Sequence, residues 1–251
     1  MSFGCRHAES QAEEAAATLE ALEAHRLRLE QTFPRLPENV TVVLHDSVAQ
    51  LLLAQPPLTL ARRMSSSAGR RYMTGWFSRS EVHCLSPSVL RRSAAGAASE
   101  ESLKALLVTP QRYYTMLVVG FNNPLLPPPF RVGQTLRMLR HSWRVEGAAA
   151  HFSGQVPHLR TAIAVRMRGR PVRFPPPARD AALLGGTVYD LLESERGARA
   201  CVRLACHPDP ADDRTILEAA FDAPRHDLTQ MWRRHLERLA SPEANVSALE
   251  I

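Results

Sequence analysis

The stretch that most constrains this chain runs from Thr135 to Gln155. Thr135 suits an N-cap and Gly154 a C-terminal stop, so the spacing predicts one helix between them. At about 100° per residue, Leu136, Leu139, Trp143 and Ala150 share one side, and Met138, Val145 and Phe152 widen the apolar arc. Arg137, Arg140, Arg144 and His151 take the opposite side and are expected to face water. Glu146 breaks the pattern, because it falls with Trp143 and Leu139. A carboxylate on an apolar face costs free energy unless it has a partner. Two readings follow: a structural Glu bonded to an arginine or to backbone amides, or a metal ligand or catalytic carboxylate. Gly147 and the three alanines after it leave room for another backbone to approach closely.

The residues Trp143-Arg144-Val145-Glu146-Gly147-Ala148-Ala149-Ala150-His151-Phe152-Ser153-Gly154 resemble the W-x-x-E-G-x-A-x-x-x-S-G helix of gluzincin metallopeptidases, the peptidase-MA-like branch of the zincins. The resemblance implies that Glu146 stands at the third zinc-ligand position. In that family an upstream H-E-x-x-H helix supplies two imidazoles on one face and a general base beside them. The upstream helix is expected to start at Thr109-Pro110 and to run from Gln111 to a stop at Gly120. No register of it contains H-E-x-x-H. In the nearest window Arg112 and Met116 stand at the histidine positions and Tyr113 at that of the base. The resemblance therefore implies a zincin scaffold without its zinc chemistry: no metal site, no cofactor, and a cleft bounded by Arg112, Tyr113, Met116, Trp143 and Glu146. Arg112 is placed to neutralise Glu146. The expected partner is a peptide or protein in that cleft.

The rest of the chain reads as α+β. Residues 8–31 carry Leu19, Leu22, Leu29 and Ala15 on one side and predict an amphipathic N-terminal helix, so residues 1–38 are set apart from a domain spanning 39–240. Residues 39–45 read as a buried strand ending at His45, which is either a functional group or a hydrogen-bonded structural one. Asp46-Ser47 can cap a short helix from Val48 to Leu53. Residues 62–71 read as an exposed loop. Residues 72–77 and 81–85 read as two strands joined by a turn at Ser78-Arg79-Ser80. A helix from Ser86-Pro87 to Arg92, a small-residue loop at 94–99 and a short helix or strand at 100–107 follow. This order is similar to a zincin N-terminal part, a small mixed sheet followed by two central helices across 39–155, whose edge strand pairs with a substrate peptide in that family. Residues 156–240 read as the helical C-terminal part. Its helices are expected at 185–197, capped by Thr187 and ended at Gly197, then at 198–206, 216–221 and 227–239. The tail from 241 to 251 is expected to fray.

Composition narrows the function classes. The net charge is +6, carried by arginine except for Lys104. No Asp or Glu occurs between Glu146 and Asp180, a segment holding Arg160, Arg166, Arg168, Arg170, Arg173 and Arg179. Arg166, Arg168, Arg170 and Arg173 are the best candidates for an anion-binding patch. The segment lacks interleaved aromatics and matches no nucleic-acid motif, so nucleic acid is a weaker reading than a solvated face or a partner for Glu146. The four cysteines form no C-x-x-C pair and read as free thiols. No apolar run is long enough to span a bilayer, and the N-terminus has no signal-like apolar region, so a cytoplasmic location is expected. Besides the degenerate peptidase, two alternatives stand. One is an active hydrolase drawing ligands from His45, His141, Glu146 and His151. The other is a basic protein binding nucleic acid or anions through residues 160–179.

Overall fold

The computed structural model describes residues 3–94, 99–128, 130–208 and 212–241. Its first part runs β1 (Phe3–Arg6), α1 (Ala12–Glu30), β2 (Val40–His45), α2 (Val48–Ala54), α3 (Pro56–Met64), α4 (Ser67–Arg70), β3 (Gly75–Phe77), β4 (Glu81–Leu85) and α5 (Pro87–Ala94). The second part is helical: α6 (Glu100–Leu107), α7 (Thr109–Asn122), α8 (Val132–Arg140), α9 (Ser142–Phe152), α10 (Arg160–Met167), α11 (Ala178–Arg196), α12 (Ala198–Cys206), α13 (Asp213–Phe221) and α14 (Arg225–Ala240). The fold class is α+β, with one small mixed sheet near the N-terminus. No helix among the described residues is long and apolar enough to cross a membrane. The small-residue loop at 95–98 and the tail beyond 241 lie outside the described residues.

The strand order is β1-β2-β4-β3. β1 and β4 both run parallel to β2, and β3 is antiparallel to β4 at one edge. Because side chains alternate along a strand, one face presents Cys5, Val42, Leu44, Val82, Cys84 and Phe77 to the core. α1 and α7 cover this face. Phe3 of β1 meets Tyr114 of α7 edge to face at 5.2 Å. β1 falls inside residues 1–38, where the sequence predicts only a helix. Its four residues carry no turn signals, and its pairing partner is distant in the chain. The loop expected at 62–71 is instead the end of α3 and the whole of α4. Pro56 starts α3, and the Ser66 hydroxyl accepts from the Gly69 amide at 3.2 Å.

The helix expected from Thr135 to Gly154 is two helices, α8 and α9. The backbone turns at His141 (φ −107°, ψ 34°), whose Nδ1 lies 2.7 Å from Asp213 Oδ1. Arg131 precedes α8, so Thr135 is an interior residue rather than a cap. The break rotates the second half of the pattern relative to the first. Leu136, expected on the packed side, is 62% exposed, and Arg144, expected in water, is 1% exposed. Gly154 does end α9, at φ +74°, a conformation that suits glycine.

α11 begins at Ala178, well before the expected start at Gly185, so Thr187 lies mid-helix. Its hydroxyl bonds the Leu184 carbonyl and accepts from Trp232 Nε1 at 2.8 Å. The glycine pair is a packing device. A Cβ on Gly147 would stand 2.6 Å from the Gly185 oxygen, and one on Gly185 would stand 2.7 Å from the Trp143 oxygen. α9 and α11 thus cross backbone against backbone, the close approach that Gly147 and its alanines allow. α7 likewise runs past its expected stop, to Asn122, and Gly120 is a packing position, since a Cβ there would meet the Pro127 oxygen.

Candidate functional site

α7, α9 and α11 meet around one charged pair inside the core. Arg112 of α7 is fully buried, and its guanidinium donates to Glu146 Oε2 of α9 and to Gln155 Oε1. It also donates to the Ala182 carbonyl of α11 at 3.3 Å. Gln155 is held by its own amide, which donates to the Ala105 carbonyl at 2.7 Å. The Glu146 side chain keeps 13% of its surface, against 0% for Arg112. Pairing in this setting offsets the desolvation of both charges, and removing one partner strands the other.

Above this pair lies a small apolar cavity of about 40 Å³. That is room for two or three waters, at roughly 10–15 Å³ each. Its walls come from α3 and the turn after it (Ala61, Met64, Ser65), from β3 and the residues before it (Met73, Trp76, Phe77), and from Met116 of α7. Met138, Leu139, Ser142, Val145 and Glu146 line a further side, and Ala178, Ala181 and Ala182 of α11 close it. Four of the seven methionines of the chain therefore face one cavity. Unbranched thioether chains adapt to different occupants more readily than branched ones. Among the described residues, Glu146 is the only carboxylate in the lining.

The expected cleft residues divide into two groups. Glu146 and Met116 line the cavity, while Arg112, Tyr113 and Trp143 stand behind its wall. Tyr113 packs its ring beneath Gly75 of β3, where a Cβ would lie 2.7 Å from Cδ2. Burial pushes its hydroxyl up and out of any ordinary acid–base range. The Arg112–Glu146 pair was legible in the sequence. Gln155, which completes the bonding of Arg112, and the α3 wall were not.

The residues of the alternative readings are drawn elsewhere. His141 pairs with Asp213, and His151 stacks on Tyr189 with Glu193 at 3.6 Å. His45 faces His83 at 3.1 Å, and His83 in turn meets Glu81 at 3.1 Å. Burial lowers both of these imidazoles. None of the three histidines joins Glu146. Among the described residues, no group of three or more His, Cys, Asp or Glu could hold a metal ion.

The expected anion patch loses one member. Arg166 is buried and makes a two-pronged pair with Asp180, at 2.8 and 2.7 Å. The carboxylate missing from the intervening sequence is thus supplied by the first turn of α11. Arg168, Arg170 and Arg173 are exposed. No protein-family model matches the chain, and no characterised protein or solved structure matches it.

Proposed function

We propose that the chain is a zincin-like, gluzincin-related binding protein that uses a degenerate peptidase cleft to hold an apolar group of a peptide or protein partner. The observation that supports this reading best is the Arg112–Glu146 pair, whose carboxylate lines the methionine-lined cavity while the guanidinium stands behind its wall. The resemblance assigns these positions to one zinc-binding imidazole and one zinc-binding carboxylate. Here the donor set does not fit zinc, because a guanidinium offers no lone pair to a metal and occupies the carboxylate opposite it. A permanently charged arginine locks the pair shut, and no residue of α7 can take up a water proton at neutral pH. What is left is a polarised, mostly apolar hollow, with the Glu146 carboxylate as its one acidic group. A sheet with an antiparallel edge strand beside the cavity is also in keeping with the zincin arrangement.

Selecting a displayed peptide library against the protein tests the reading. Peptides with a protruding apolar side chain should be recovered. Their affinity should fall about tenfold or more, about 1.4 kcal/mol, when Ala61→Phe fills the cavity from its α3 wall. Undiminished binding to a folded Ala61→Phe variant would remove the cavity from the account.

A further inference from the structure

A second concavity lies near the N-terminal end of α8, and its chemistry differs from that of the cleft. It is a surface groove of about 500 Å³ lined by Arg35, Arg79, Arg131, Phe121, Gln134, Pro124 and Pro128. Its three arginines come from three separate segments: the loop after α1, the β3–β4 turn and the residue before α8. Among the described residues, no carboxylate lines it. The sequence from Leu103 to Val145 holds no Asp or Glu at all. Glu81, two residues from Arg79, is committed to Arg6 and His83. Among the described residues, no ion pair engages Arg35, Arg79 or Arg131.

The walls are fixed rather than incidental. The Arg35 amide donates to Asn122 Oδ1 at 3.1 Å, and Asn122 Nδ2 donates back to the Arg35 carbonyl at 2.7 Å. Gln134 Nε2 donates to the Pro124 carbonyl at 3.0 Å, which ties α8 to the proline loop. Gln134 Oε1 is left without a hydrogen-bond partner. Phe121 is 38% exposed and supplies an aromatic surface on the same groove.

Three like charges held around one concavity repel each other, and a multiply charged anion relieves that repulsion. A single carboxylate would satisfy one guanidinium fork, whereas a di- or triphosphate group presents enough oxygens and charge for three. The volume lies in the range of small-ligand sites. We infer that this groove binds a di- or triphosphate group, either of a nucleotide whose base lies on Phe121 or of an inorganic polyphosphate. This site is independent of the cleft and of its family reading.

Calorimetric titration with ATP and with tripolyphosphate, at low salt, tests it. At least one should bind, and Arg79→Ala/Arg131→Ala should weaken binding about tenfold or more. Arg233→Ala/Arg234→Ala, which removes two exposed charges of α14 away from the groove, should leave it within about twofold. If ATP is the ligand, Phe121→Ala weakens ATP and spares tripolyphosphate; if polyphosphate is, Phe121→Ala changes neither. The inference is overturned if neither ligand binds, if the groove double variant binds as the parent does, or if both double variants weaken binding equally.

Discussion

Replacing each member of the Arg112–Glu146 pair in turn, and then both, tests how the core tolerates its buried charge. Glu146→Leu leaves a fully buried guanidinium with only the Gln155 side chain and the Ala182 carbonyl as partners. Arginine cannot shed its proton, so it cannot escape the penalty, and the loss should be about 3–5 kcal/mol. Arg112→Met strands a carboxylate instead, but that carboxylate is 13% exposed and borders the cavity, where it can hold a water. Its loss should be smaller, about 2–3 kcal/mol at neutral pH. The double variant Arg112→Met/Glu146→Leu removes both charges and should recover to within about 1–2 kcal/mol of the parent. Urea unfolding followed by tryptophan fluorescence reads all three. With a slope of about 2–3 kcal/mol per molar, the Glu146→Leu midpoint should fall by roughly 1–2.5 M. The reasoning fails if the single losses are each below about 0.5 kcal/mol, or if the double variant is as unstable as their sum.

Three further outcomes are expected. Asp180→Asn should cost about 3–5 kcal/mol, because it halves a buried two-pronged pair, while Arg168→Ala should stay within about 0.5 kcal/mol; thermal unfolding of the two variants decides this. Gly147→Ala should cost about 1–3 kcal/mol, since its Cβ meets the Gly185 backbone and α9 must move off α11; the same melt applies. His25 is held down to about 3, chiefly by burial, with Arg28 adding to the effect. The unfolded chain therefore takes up the extra proton first. The stability due to neutral His25 is complete above the unfolded value near 6.5 and drains as pH falls from there toward about 3, by up to 1.4 kcal/mol per pH unit. Unfolding free energies of the parent and of His25→Met, compared from pH 7 to 5, should converge as pH falls, and parallel curves would contradict the assignment.

The elements legible in the sequence are those whose signals are local. The β3–β4 hairpin, the Ser47 cap of α2, the Gly197 stop of α11 and the amphipathic α1 and α14 each carry their own turn or periodic pattern. What escaped depends on contacts distant in sequence. β1 exists because it pairs with β2, across the whole of α1. The break at His141 contains neither glycine nor proline and is accompanied by a hydrogen bond to Asp213, 72 residues away. Without that break, a single helical wheel sends Arg144 to solvent, and the structure buries it. Gly185-Gly186 signals a helix start when read locally, yet it is the place where α9 presses on α11. In the site, the odd carboxylate on an apolar face pointed to an arginine partner, and Arg112 is that partner. Gln155 and the α3 wall gave no such sign, since neither departs from the pattern of an ordinary loop.

The central claim is that Glu146 serves a binding cleft through its pair with Arg112 and not a metal. Elemental analysis of the purified protein, before and after treatment with a chelator, tests it most directly. The account predicts well under one zinc per chain and an unfolding temperature that zinc and chelator leave unchanged. One zinc per chain, removed by the chelator and lost again in Glu146→Gln, would contradict it.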